Sequence, residues 1–249
     1  MEIEEYRRMA KVEQTHWWYI ATRRLLATLL THRLRSDHKQ RILDAGCGTG
    51  ATGAWLAEHG ELVALDIEPT ALATFDELHP GAILVKSGID DIPLADASVD
   101  GVLCVTVLYH RSVDDPASAV RELARVTRPG GWVCLMEPGV RRLRRPHDRV
   151  THAGRRFSRR DLRSIAENAG LVVTRSTGAF SFLVPPAFVK ALIDRRGVSS
   201  DLDNGAGPLR RPLLWLAACE RFLISRMSIP FGLSVIVVAT KPEPVVSSN

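Results

Sequence analysis

The sequence predicts an α/β protein built on an open, mostly parallel sheet with helices on both faces. Three observations carry that expectation. Short apolar runs alternate with amphipathic segments from residue 42 to about 177, the pattern that calls for parallel strands joined by helical crossovers. One run, "VDGVLCVTVL" (99–108), is nearly all apolar and reads as a central strand buried on both faces. A glycine-rich stretch, "ILDAGCGTGATG" (42–53), continues directly from the first run, where such sheets bind ligands beyond the carboxyl ends of their strands.

The elements follow in order. Residues 17–31 read as a helix with Trp18, Leu25, Leu26 and Leu29 near one face. "RILDA" is the first strand, and "GATGAWLAEHG" (50–60) a helix opening on glycines and closing at Gly60. "ELVALD" is the second strand, "PTALATFDELHP" a helix with Pro69 at an early position, and "AILVKS" the third strand. After the fourth strand at 99–108, "DPASAVRELARVTRPGG" (115–131) is a helix stopped by Pro129-Gly130-Gly131, and "WVCLMEP" is the fifth strand. "SRRDLRSIAENAG" (158–170) opens on a capping-box pattern, Ser158 with Asp161. "LVVTRST" and "LSVIVVATKP" are the sixth and seventh strands, the last free to enter antiparallel because no regular crossover precedes it. Residues 179–230 read as two apolar helices around a Gly/Asp/Asn loop. This insertion suits a lid, a dimer surface or a groove for a hydrophobic tail, and equally a helical subdomain with its own core. The whole chain, 1–249, reads as one domain with an N-terminal helical cap over 1–39.

Composition narrows the function. With 45% hydrophobic residues in 249 a sizeable core is expected. Cys47, Cys104, Cys134 and Cys219 form no C-x-x-C pair, which points to buried thiols in a reducing compartment. "MEIEEYRRMAKVEQ" has no apolar core of a signal peptide, and no run reaches transmembrane length. A cytoplasmic protein is expected. The net charge of +5 is concentrated in 141–163, which holds ten arginines. A solvated basic face, an anionic substrate and a membrane surface all fit that block. A nucleic acid does not, because Phe157 is its one aromatic and offers no stacking ladder.

The glycine run can be read in two phases. Gly48, Gly50 and Gly53 fit the dinucleotide pattern G-x-G-x-x-G, but they start two residues after the strand ends. Read from Asp44, glycines follow at 46, 48 and 50. A carboxylate at that strand end repels a pyrophosphate and attracts an ammonium group. No Lys-Ser/Thr follows, which excludes a P-loop. Asp66 ends the second strand, where an acidic residue accepts hydrogen bonds from ribose hydroxyls. A carboxylate for an amine, bare backbone and a carboxylate for a ribose together suit S-adenosylmethionine, which has no phosphate.

Here a resemblance enters. "ILDAGCGTG" and "LDIEP" resemble motifs I and II of the class I S-adenosylmethionine-dependent methyltransferases, and "IDDIPLADASVDGVLC" and "ELARVTRPGGWVCLMEP" resemble the next two segments of the ubiquinone/menaquinone-biosynthesis-like, type 11 group. The match covers about residues 40–140. It implies a Rossmann-like seven-stranded sheet in the order 3-2-1-4-5-7-6, with the last strand antiparallel. It also implies that Asp44, Gly46 and Gly48, with Ala45 and Cys47 between them, line the methionine end of the cofactor. Asp66 would hold the ribose, Ile67 would pack on the adenine, and Val105 is a further cofactor-binding candidate. The position after the third strand that commonly carries an acidic residue is Gly88 here, so the Ile89 backbone or the Asp90 side chain is expected to substitute. "HWWY" and Arg23-Arg24 place Trp17 or His16 over the ligand and Arg23 near its carboxylate, with an aromatic helix packed on the sheet as the competing reading.

A hydroxyl acceptor needs a base. His110 with Tyr109 follows the fourth strand, and His147 with Asp148 follows the fifth, both at the ligand end. These four are the catalytic candidates. His147, Asp148 and His152 have no metal-specific spacing, and no metal is expected. His32, His38, His59 and His79 read as exposed. "HWWYIATRR", "HDRVTHAGRRFSRRDL" and "IPFGLSVIVVATKP" resemble a bacterial subgroup common in glycan, glycolipid and natural-product pathways. The function expected is O-methylation of a small or lipid-linked acceptor, an anionic one included. N- or C-methylation of a small metabolite is the alternative within the class. An NAD(P)-dependent oxidoreductase and a non-catalytic nucleoside-binding protein are the alternatives outside it. A homodimer and peripheral membrane contact both remain open.

Overall fold

A computed structural model describes residues 10–36, 38–140, 155–193 and 207–244. Its centre is a seven-stranded sheet, β1 (Gln40–Ala45), β2 (Gly60–Asp66), β3 (Ile83–Lys86), β4 (Val99–Val105), β5 (Thr127–Pro138), β6 (Val172–Ala179) and β7 (Ser234–Thr240). The strand order is β3-β2-β1-β4-β5-β7-β6. β1 to β5 pair in parallel, whereas β7 runs antiparallel to both β5 and β6. This is the expected topology. β4 lies in the middle with all seven residues buried, as its continuous apolar run requires.

The period-2 alternation of the strands feeds two cores. On one face Leu43, Val63, Val102, Cys104, Val133 and Val237 meet α3 (Pro116–Val126) and α4 (Arg159–Asn168). On the other, Ile42, Leu62, Leu103, Cys134 and Ile236 meet α1 (Trp17–Leu34), α2 (Pro69–Leu78) and α6 (Arg210–Arg226). α5 (Val184–Ile193) precedes α6, so the insertion before β7 is helical as expected. The capping box of α4 is formed. Asp161 N–H donates to Ser158 Oγ at 3.2 Å, and Ser158 N–H donates to Asp161 Oδ2 at 2.7 Å.

Several expectations are corrected. The segment after the first glycines is not an α-helix: six residues, Ala54–His59, form a 3-10 helix, and Gly60 already belongs to β2. Positive φ at Gly50 takes the first residue of that stretch out of helical backbone. The helix expected over 115–131 ends at Val126, and β5 starts at Thr127 and runs through Pro129. Thr127 Oγ donates to Leu123 O at 2.6 Å, and Arg128, preceding a proline, is biased away from helical backbone. The inward face of α1 is rotated from the expected one: Trp17, Ala21, Leu25, Leu26 and Leu30 are buried, while Trp18 and Leu29 are only partly so. Cys47, Cys104 and Cys134 are buried, but Cys219 is exposed. His79 is half-buried rather than exposed. Among the described residues no helix is long and apolar enough to cross a membrane.

Candidate active site

β1 delivers Asp44 to the ligand end of the sheet, and the chain then turns through Gly46–Gly50. Two amides, Gly46 N–H and Cys47 N–H, donate to Leu65 O at 2.7 and 2.9 Å, which staples the loop to the end of β2. Gly46 has φ 78°, and a Cβ there would lie 2.3 Å from Val107 Cγ2, so only glycine lets the loop lie against the segment after β4. At Gly48 a Cβ would meet nothing within 4 Å. The backbone there faces open space and is approachable by a ligand.

Asp44 is 1% exposed, and its Oδ2 has no hydrogen-bond partner among the described residues. It presses on Gly53, where a Cβ would come within 2.0 Å of that oxygen. Burial, assisted by the charge of Asp66, pushes its carboxyl up to about 7. A buried carboxylate oxygen with no partner is costly unless a cation is supplied. Asp66 is half-buried at the end of β2. Its Oδ2 accepts from Gly48 N–H at 2.8 Å and its Oδ1 from Glu68 N–H at 2.9 Å. Those bonds orient the carboxylate and leave it further lone pairs. Ile67 next to it is 54% exposed, an apolar side chain standing at the rim.

The loop after β3 joins this wall through Ser87 N–H, which donates to Asp66 O at 3.1 Å. Gly88 has no side chain to contribute. A Cβ there would lie 2.4 Å from Asp90 Oδ1, so the Asp90 carboxylate occupies the space where a residue-88 side chain would begin. Ile89 points inward and is buried.

The segment after β4 carries Val107, Leu108, Tyr109 and His110. Glu137, at the end of β5, holds it. Glu137 Oε1 accepts from Val107 N–H at 3.1 Å and Leu108 N–H at 2.8 Å, and Oε2 accepts from Tyr109 N–H at 3.2 Å. The side chain is fully buried. Burial pushes its carboxyl up to about 8 against the opposing pull of the three amides. The Tyr109 and His110 rings meet edge to face at 4.7 Å. Val105 is buried in the core on the sheet face that carries α1.

The N-terminal segment closes over the glycine loop. Thr49 Oγ donates to Glu13 Oε2 in a short bond, Tyr19 also bonds Glu13, and Arg23 Nη1 donates to Ala51 O at 2.6 Å. Burial raises the Glu13 carboxyl, opposed by Thr49, Tyr19 and Arg23. Arg23 therefore braces the loop backbone. Trp17 packs edge-on against Phe180 with centroids 6.2 Å apart and is 8% exposed. His16 caps α1, its Nδ1 accepting from Trp18 N–H at 3.2 Å. His147, Asp148 and His152 lie outside the described residues. Among the described residues no group of His, Cys, Asp and Glu has the arrangement of a metal site.

Sequence reasoning brought together Asp44, Gly46, Gly48, Asp66 and Tyr109-His110, and missed Glu13, Tyr19, Thr49 and Glu137. Glu137 had a signal: it ends an apolar run in "CLMEP" just as Asp44 and Asp66 end theirs. Glu13 had none, because its partner is 36 residues away.

Residues 43–135 match the family model described as a methyltransferase domain. Over that stretch the chain matches the methyltransferase-domain family. Over 131 residues it is 35% identical to a malonyl-[acyl-carrier protein] O-methyltransferase of Pectobacterium atrosepticum, covering 52% of this chain and 47% of that protein. Over 113 residues it is 32% identical to the O-methyltransferase resE of Aspergillus sclerotiorum, covering 42% of each. These alignments span about half or less of the relatives' length. Among solved structures, a possible histamine N-methyltransferase from Thermotoga maritima superposes with a TM-score of 0.58 at 19% identity, covering 96% of this chain and 95% of that one. That likeness concerns the methyltransferase fold.

Proposed function

We propose that this methyltransferase domain binds S-adenosylmethionine and transfers its methyl group to a hydroxyl oxygen of a small or lipid-linked acceptor, a sugar, glycolipid or natural product. The observation that carries the cofactor is the unpartnered buried oxygen of Asp44 beside the open backbone of Gly48 and the carboxylate of Asp66. A pyrophosphate at that place would meet two carboxylates. A nucleoside with an amino-acid tail instead supplies Asp44 with the cation it lacks. Oxygen is favoured as the acceptor atom because two relatives above 30% identity are named O-methyltransferases.

The residues divide the work as follows. Asp44 faces the ammonium group of the tail, and Gly46 and Gly48 admit it close to the backbone. Asp66 accepts from the ribose hydroxyls. Ile67 covers one face of the adenine and Asp90 reaches its edge. The cofactor supplies an already activated methyl on a sulfonium, so the protein's main contribution is alignment, which can be worth several kcal/mol. Glu137 fixes the segment that carries Tyr109 and His110, and His110 takes the proton of the acceptor hydroxyl.

The test is calorimetry of S-adenosylhomocysteine against NADH, with Asp66→Ala as control. The expected outcome is S-adenosylhomocysteine binding that weakens at least about tenfold in the variant, about 1.4 kcal/mol. Binding of NADH without S-adenosylhomocysteine would assign the glycines to a dinucleotide and end this reading.

A further inference from the structure

The insertion before β7 presents a face that methyl transfer does not use. α6 turns Ala217, Glu220 and Ile224 inward. Glu220 is the helix's single acidic residue, and it is spent on the fold. Its carboxylate accepts from Phe180 N–H at 2.6 Å and Ser181 N–H at 2.7 Å, and from the Ser181 hydroxyl. Those partners follow the carboxyl end of β6, on the side of the sheet that carries the glycine loop. Arg210 Nε adds a bond to Thr15 O at 3.2 Å, tying the start of the helix to the N-terminal segment.

The opposite arc of α6 is apolar and in water. At 3.6 residues per turn, Trp215, Leu216, Phe222 and Leu223 fall on one side together with Arg211 and Arg226. Trp215 is 66% exposed and Phe222 58%. Leu209 and Met227, which flank the helix, are exposed as well. The Arg226 guanidinium lies 3.8 Å over the Phe222 ring, a cation–π contact that keeps a positive charge on the apolar arc. No carboxylate belongs to this arc. Two copies meeting through it would bring arginines together with nothing to pair them. An anionic lipid surface offers phosphates to the arginines and an acyl boundary to the aromatic rings. At 17 residues with four arginines the helix is built to lie on a bilayer, not to span it.

We propose that the outward face of α6 docks this protein on anionic membranes, with Trp215 and Phe222 at the headgroup boundary and Arg211 and Arg226 on lipid phosphates. The docking needs no methyl transfer, so its test is separate from that of the cofactor. The full chain is sedimented with vesicles of phosphatidylglycerol and phosphatidylcholine, and with phosphatidylcholine alone. Tryptophan emission is recorded for the parent chain and for Trp215→Phe. The expected result is binding to the anionic vesicles that weakens with salt, with a blue shift that Trp215→Phe removes. Trp215→Ser/Phe222→Ser and Arg211→Gln/Arg226→Gln are each expected to weaken binding at least about tenfold, with unchanged circular dichroism. Three results would overturn the proposal: no binding to phosphatidylglycerol, undiminished binding of both double variants, or a concentration-dependent dimer in light scattering that Trp215→Ser/Phe222→Ser abolishes. The last would assign the face to a second copy of the chain.

Discussion

In the proposed function, Asp44 is the side chain that links the fold to the ligand. Its rise from the ordinary 3.8 to about 7 corresponds to about 4 kcal/mol against the ionised form. That is a large fraction of a typical folding free energy. The sign follows from linkage. Between about pH 4 and 7 the unfolded chain releases this proton while the folded chain keeps it, so the stability contributed by this group falls as pH rises through that window. A cation placed beside the carboxylate favours its ionised form, so ligand binding releases a proton. S-adenosylhomocysteine affinity should therefore rise several-fold from pH 6 to pH 8, and calorimetry in buffers of different ionisation enthalpy should report proton release. Asp44→Asn should bind more weakly and lose both effects. A pH-independent parent affinity would mean that Asp44 faces no cation.

At the scale of elements, the important joint is between β4 and β5. The two strands are parallel neighbours, so the loop leaving β4 and the carboxylate ending β5 arrive at the same edge. Glu137 uses that coincidence to hold three successive amides. A glutamine there keeps the shape but turns one acceptor into a donor, which leaves an amide unpaired at about 1–3 kcal/mol. Glu137→Gln should stay folded with a lower melting temperature and bind S-adenosylhomocysteine almost as the parent does. Its kcat should fall on the order of 10- to 100-fold, because the Tyr109-His110 segment is misplaced. A variant with parent kcat would show that the clamp serves stability alone. The same joint explains why α3 ends five residues before the expected stop. "RPGG" resembles a helix stop, yet the stop occurs at Val126 because Thr127 bonds back to Leu123 and β4 offers a pairing edge at Val99.

For the whole molecule, the bonds of Glu13 and Arg23 to Thr49 and Ala51 tie the N-terminal segment to the glycine loop, which makes it part of the cofactor wall in the proposed function. Filling the site should tighten both together. Saturation with S-adenosylhomocysteine at 100 times Kd should stabilise the fold by about 2.7 kcal/mol. Amide exchange should slow over residues 46–51 and also over 10–23. Protection limited to the glycine loop would show that the N-terminal segment is only a neighbour.

The sequence by itself determined the alternation of strands and helices and the acidic residues near the ends of β1, β2 and β5, while the strand order followed from the resemblance to the methyltransferase family. Apolar runs of strand length force burial, and a carboxylate at the end of such a run has only the ligand edge to occupy. Asp44 and Asp66 were legible for that reason, and Glu137 stood in the same position unread. The tertiary structure alone decided the remainder. It gave Asp90 the space beside Gly88, sent Trp17 to Phe180 and Arg23 to Ala51, and matched Glu13 with Thr49. The last three of these depend on where distant segments cross. That is set by the summed burial of two cores, and local patterns of residues do not record it.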